Sequence, residues 1–408
     1  MTLGLRARWM ADRLALLALA AWVGADLLGK TVFGATPWPD SVVDYRLLYD
    51  YSRHVVAAKA YPPHYPYPPS AVVLHYASAL FSFPVSAGLW MAGTAAAALG
   101  CWWVLARMLG LDRRPGLLAL LLLAHAASAY FFQWDLRSQN CNLVFLAALL
   151  FGLRALQRQR PAAAGWWLAL SFSLKLFSVL VIPYLLWSGR RKELGWTLAF
   201  LAVFWVGLPA ALFTPEGMCR AYADWFRQME EASNQRLNDG HPILISLRGS
   251  AERAVGDRGA AGLVENGVRG LWLAVMAGAW GASRRRADRG DIFGLLTDVS
   301  VLTLAPIALS PYLEPYHPVP FAIPALLLLH AAADRRQTWR VRLLAAGLFA
   351  ASVGVALVPH GWEVRGLVVN AKLLLAVGGG VAVAWLRRPS GQAAGAGLPL
   401  PLMAHPAG

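Results

Sequence analysis

A chain of 408 residues that is 58% hydrophobic and only 14% charged cannot cover a soluble core with polar surface. Its mean hydropathy of +0.47 describes an all-α, polytopic membrane protein. The net charge of +15 does not point to nucleic acid, because the arginines fall in short clusters between apolar runs, as in cytoplasmic loops.

Arg6, Arg8 and Arg13 place the N-terminus in the cytoplasm, and residues 14–32 cross outward as a retained signal anchor. That span delivers Asp44 into a stretch with Tyr45, Tyr49, Tyr51, Tyr61, Tyr65 and Tyr67, and five prolines stiffen its second half. Proline fixes φ and pushes the preceding residue to extended geometry, so the second half cannot be one continuous helix. Aromatic rings beside a fixed carboxylate at a membrane surface suit a sugar or a lipid headgroup. The alternative is an interfacial aromatic belt on a turn-forming linker.

Residues 70–83, interrupted by His75, Ser78 and Pro84, are too short for a comfortable span and read as an interfacial helix. Residues 85–106 return to Arg107, Arg113 and Arg114. Residues 116–132 cross outward, 133–139 form a short outer loop, and 140–153 return to Arg154, Arg158 and Arg160. Basic residues flank both ends of 162–187: Arg160 before it, and Arg190, Arg191 and Lys192 after it. The spacing predicts a pair of short helices turning near residues 173–176, with Lys175 at the outer surface. A single helix there would export the Arg107, Arg114 and Arg154–Arg160 clusters.

Residues 194–213 lead out into a polar loop, 214–265, and 266–281 return to Arg284, Arg285 and Arg286. Residues 292–310 go out, and 319–333 come back to Asp334, Arg335 and Arg336. The last pair, 343–358 and 367–386, ends at Arg387 and Arg388. The sum is about twelve membrane helices with both termini cytoplasmic. Residues 1–388 make one transmembrane domain, and the Gly-, Ala- and Pro-rich tail, 389–408, is expected to be disordered. Cys101, Cys141 and Cys219 show neither metal nor disulfide spacing, and the first two read as packing residues.

This topology collects polar residues at the outer rim: Asp44, Gln139 to Asn142, Lys175, Asn234, Gln235, Arg248, Glu314 and His317. A lysine beside the apolar slab is costly unless it snorkels or meets an anion, which marks Lys175 as a candidate. Gln139 and Asn142 either contact a ligand or cap a helix. His317 either contacts a ligand or pairs with Glu314. Their convergence on one face is more informative than any one of them.

In order, these segments resemble the polyprenyl-phosphate-sugar-dependent membrane glycosyltransferases of glycosyltransferase family 87, mannosyltransferases of GT-C architecture. Asp44-Tyr45 with Tyr49, then Tyr61-Pro62 and Tyr67-Pro68-Pro69, is similar to that family's first-loop pattern. Gln139-Asn140-Cys141-Asn142-Leu143 resembles its Gly-Gln-x-Asn-Leu helix start, with Ser138 in the glycine position. Leu174-Lys175 resembles its Leu-Lys-Pro hairpin, with Leu176 in place of proline. Residues 310–317 resemble its Ser-Pro-x-x-Trp-x-His-His segment, with Glu314 replacing tryptophan and Tyr316 the first histidine. The family's Asn-Gln-Ser motif has two candidate registers, Asn234-Gln235 and residues 240–248.

The resemblance implies a polyprenyl-phosphate-mannose donor, a glycolipid or glycan acceptor, and a site on the outer, periplasmic face of the inner membrane. Tyr61, Tyr67, Gln139, Asn142, Asn234, Gln235 and Glu314 would line it. Direct displacement with inversion needs one carboxylate, whereas retention needs a second close by. Asp44 is the expected base, and Lys175, His317 and Arg248 would compensate the leaving phosphate. No metal or other cofactor is expected, because the outer carboxylates Asp224, Glu230 and Glu231 lack ligand spacing. Two other classes stay open. A secondary transporter would show repeats and mid-membrane charges. A non-catalytic polyprenyl-phosphate carrier or flippase has little need of a carboxylate beside an anionic lipid.

Overall fold

Backbone N–H and C=O groups inside a bilayer find no water, so apolar runs must bond internally as helices. A computed structural model describes residues 14, 17–18, 20–25, 43–62, 67–111, 117–239, 247–285, 291–310, 317–357 and 365–386, and among these every regular element is helical. After a helical stretch at 20–25 come α1 (Val43–Ala58), α2 (Pro69–Tyr76), α3 (Phe83–Met108), α4 (Leu117–Ser138) and α5 (Asn142–Gln157). Then follow α6 (Pro161–Leu174), α7 (Val181–Trp187), α8 (Arg191–Ala202), α9 (Leu208–Phe213), α10 (Pro215–Asp239) and α11 (Leu247–Val255). The chain closes with α12 (Arg258–Arg285), α13 (Ile292–Ala308), α14 (Ala322–Ala333), α15 (Trp339–Leu357) and α16 (Arg365–Leu386). The expected tail, 389–408, lies outside the described residues.

Three described helices are long and apolar enough to cross a membrane alone: Phe83–Met108, Arg191–Phe213 and Leu367–Leu386. A fourth crossing results if Leu120–Ser138 and Asn142–Gln157, bent by 119°, count as one. Leu176–Trp187, Ile292–Ala308 and Val319–Ala333 are apolar but fall short of the roughly 20 residues of a straight crossing. The architecture is that of an all-α membrane protein, with three or four self-sufficient crossings where composition and charge suggested twelve.

Two apolar cores hold it. The larger joins α3–α7 to α12–α16 around Trp102, Phe131, Phe145, Trp272 and Phe321. The smaller packs Tyr45, Leu48, Tyr49, Val55 and Tyr61 against Ala87, Phe213, Ala221 and Trp225. Helix α1 feeds this second core because Tyr45, Leu48, Tyr49, Ser52 and Val55 recur at helical spacing and are all buried. Arg46 and Asp50 pair on its exposed side at 3.2 Å.

Two expected loops are helical. The stretch 214–265 contains α10, α11 and the start of α12. Thr214 Oγ1 accepts from Gly217 N, Pro215 occupies the first turn, where no N–H is needed, and Glu216 suits the positive helix end. Burial of Ala221 and Trp225 then repays the ordering of α10. Residues 133–138 likewise continue α4, which ends only where Gln139 takes φ +57°. Elsewhere, α6 and α8 approach very closely: a Cβ on Gly165 would lie 2.6 Å from Trp196 Cβ and 2.7 Å from Thr197 N.

Candidate active site

The bend between α4 and α5 is built around a buried carboxylate. Asp135 Oδ1 accepts from Asn142 Nδ2 at 2.7 Å, and its Oδ2 accepts from Leu143 N at 3.0 Å. The side chain is fully buried, so these bonds and the positive end of α5 offset its desolvation. Gln139 forms the corner. Its Oε1 accepts from Thr94 Oγ1 at 3.0 Å, its Nε2 donates to Leu136 O, and its carbonyl accepts from Trp90 Nε1 at 2.9 Å. Gln139 and Asn142 thus shape the turn, each below 2% exposure.

Asn140, at the apex, faces α1. Its Nδ2 donates to Asp44 Oδ2 at 3.0 Å. Its Oδ1 accepts from Tyr67 OH at 3.1 Å, Cys141 N at 2.7 Å and Asn142 Nδ2 at 3.2 Å. Asp44 is half-buried in the first turn of α1, with its carboxylate toward this corner. Cys101 and Cys141 are buried thiols in the same region, and Cys219 is exposed.

Lys175 ends α6 in extended geometry and is followed by a 3-10 turn, Leu176–Ser178. Its Nζ donates to Tyr67 OH at 3.1 Å and lies 4.5 Å from that ring's centroid. At the far end of the segment Arg190 Nη1 meets Leu156 O at 3.5 Å, while Arg160 N bonds Ala155 O. Both ends of the segment therefore meet at the end of α5, which is hairpin geometry with Lys175 at the break. His317, 7% exposed, packs edge-on to Phe177 at 5.2 Å and so stands beside the Lys175 turn.

The aromatic first loop and α10 close the other side. Tyr61 OH donates to Tyr67 O at 2.5 Å, and Gln228 Nε2 donates to Pro62 O at 3.3 Å. Burial pushes the Tyr61 phenol up, so it remains a donor. Behind Lys175, a π-turn at Val203–Gly207 carries Trp205, whose Nε1 donates to Ser173 Oγ at 3.0 Å. Tyr222 OH donates to Trp205 O at 2.6 Å. His75 is buried against Trp90, with ring centroids 5.0 Å apart. Burial, seconded by the Lys175 charge, pushes its imidazole down to about 4, so it is neutral near pH 7 and lends no charge to an anion.

Asp44, Tyr67, Lys175, Gln139 and Asn142 thus come together, with Tyr61 and His317 adjoining. Asn234 and Gln235 lie on α10 and Arg248 on α11, but their side chains, and all of Glu314, are outside the described residues. Sequence reasoning singled out neither Asp135 nor Trp205, and it treated Asn140 only as part of a helix start. Asp135 was hidden because 133–139 looked like a loop. Trp205 lies in an apolar run where nothing marks a π-turn. Among the described residues no three His, Cys, Asp or Glu side chains gather as a metal site.

The arrangement offers one half-buried carboxylate and one ammonium, joined through a tyrosine and an asparagine. It can remove a proton at one end and hold an anion at the other. No curated protein and no solved structure matches the chain. The family model for glycosyltransferase family 87 matches residues 65–311, which include Tyr67, Asn140 and Lys175 and lie between Asp44 and His317. A match over that share of the chain, on a helical membrane scaffold, places this protein in glycosyltransferase family 87, and it is a membrane glycosyltransferase.

Proposed function

We propose that the chain transfers mannose from a polyprenyl-phosphate donor to a hydroxyl of a glycolipid or glycan on the outer face of the inner membrane. The reading includes the twelve-helix topology with cytoplasmic termini and with α2 at the outer interface. The acceptor oxygen attacks the anomeric carbon, its proton passes to Asp44, and the carbon–phosphate oxygen bond breaks to release polyprenyl phosphate. Lys175 and His317 neutralise the phosphate without protonating it. Arg248, Asn234, Gln235 and Glu314 are proposed on sequence alone.

The observation that carries this reading is the hydrogen-bonded line from Asp44 to Lys175. Inversion is favoured because Asp135, the other carboxylate at the bend, is sealed and spends both oxygens on α5. A lipid carrier would gain nothing from a carboxylate so placed.

Purified protein is incubated with polyprenyl-phosphate-mannose and a lipid and glycan extract, and mannosylated products are read by mass spectrometry. Asp44→Asn should lower turnover by about 10²- to 10⁴-fold, the usual range for a general base, with donor binding retained. Asp50→Asn is the control, since Asp50 sits in an exposed pair with Arg46, and such pairs contribute little. Equal losses in both variants would indicate a folding defect of α1 and leave the base assignment without support.

A further inference from the structure

The line between Asp44 and Lys175 has a direction that the chemistry of its members imposes. An ammonium can only donate, so Lys175 Nζ takes the Tyr67 oxygen as acceptor, and the phenol hydrogen is free to go elsewhere. It goes to Asn140 Oδ1, on which Cys141 N and Asn142 Nδ2 also converge. Three donors on one atom fix the amide orientation: Oδ1 faces Tyr67, and Nδ2 must face Asp44. Asp44 Oδ2 is then occupied at 3.0 Å, while its Oδ1 has no hydrogen-bond partner among the described residues.

Two consequences bear on displacement with inversion. The proton-accepting oxygen is selected, because Oδ2 is held by Asn140 and Oδ1 is left for the acceptor hydroxyl. The separation of base and phosphate-binding cation is also set, by three successive bonds of 3.0, 3.1 and 3.1 Å. A nucleophile and a leaving group on opposite sides of one carbon demand such a fixed span. The supports are rigid where they need to be: Asn140 is 4% exposed on a corner held by Gln139 and Asp135, and the Tyr67 backbone carbonyl is held by Tyr61.

We infer that Asn140 and the Tyr67 hydroxyl are positioning residues that couple the base Asp44 to the phosphate cation Lys175, leaving Asp44 Oδ1 as the working oxygen. This rests on the assignment of Asp44 as base. Neither residue exchanges a proton with substrate.

The test is a double-mutant cycle on the full-length protein, with kcat and donor KM measured at saturating acceptor. Tyr67→Phe keeps the ring beneath Lys175 and removes only the hydroxyl; Asn140→Ala removes the amide. Each should lower kcat about tenfold, the effect of losing one hydrogen bond to a charged group or its direct support. In the double variant kcat should stay within about twofold of the worse single, because the relay is broken once. Losses that multiply to about a hundredfold would mean two independent packing effects and would overturn the coupling. Asn140→Ser takes the place of the alanine variant if the latter does not purify as folded protein. Asp44→Asn is assayed in parallel. Full turnover in that variant defeats the base assignment and with it the relay, whereas loss there beside a multiplicative cycle defeats the relay alone.

Discussion

Lys175→Ala is the perturbation that most directly probes the proposed phosphate end of the site. In the wild type the ammonium is half-buried, bonds Tyr67 OH at 3.1 Å and lies 4.5 Å from the ring centroid. With donor bound, one charge-assisted contact to the phosphate is worth on the order of 2 kcal/mol, or about thirtyfold. The proposed His317 contact does not replace the Lys175 bond, because each group holds the phosphate through its own contact. His75, in turn, is held neutral by burial and lends the phosphate no charge. The loss should therefore fall on donor use, with donor KM rising about thirtyfold while the acceptor's apparent affinity changes little. The cation–π contact with Tyr67 adds about 1 kcal/mol or less to the apo state and does not alter that partition. Initial rates with the protein in liposomes, varying donor at saturating acceptor and then the reverse, separate the two. Unchanged donor KM and kcat would return Lys175 to a snorkelling lysine with no ligand and would refute the reasoning.

Other perturbations test the frame around the site. Gly165→Ala forces a methyl to within 2.7 Å of the α8 backbone, so the α6–α8 crossing must open, at a cost of about 1–3 kcal/mol. A lower melting temperature together with reduced turnover is expected, since α6 ends at Lys175; wild-type behaviour would show that the crossing yields. Lys372, 4% exposed in α16, bonds Ala127 O at 2.7 Å and lies over the Phe131 and Phe321 rings, with no carboxylate among its described contacts. A buried ammonium costs several kcal/mol, about what its carbonyl and ring contacts return, so Lys372→Met should melt at or above the wild-type temperature. A drop of several degrees would show that the contacts outweigh the burial.

Composition by itself determined the class, an all-helical membrane protein. Basic residues at both ends of one apolar stretch also pointed to a break near Lys175, where α6 ends. Local signals for α1 and α10 were present too, in the spacing of Tyr45, Leu48, Tyr49, Ser52 and Val55 and in Thr214-Pro215-Glu216. They were outweighed by prolines and by polarity, which describe loops and outer helices alike. Only the tertiary structure decided the partners. Asp44 and Asn140 are 96 residues apart and Tyr67 and Lys175 are 108 apart, so their pairing depends on how α1, the α4–α5 bend and the α6 hairpin pack, which no local pattern encodes. For the same reason Asp135 became visible as the cap of α5 only in three dimensions: burial and an opposing helix N-terminus are properties of the fold, not of the residues on either side of it.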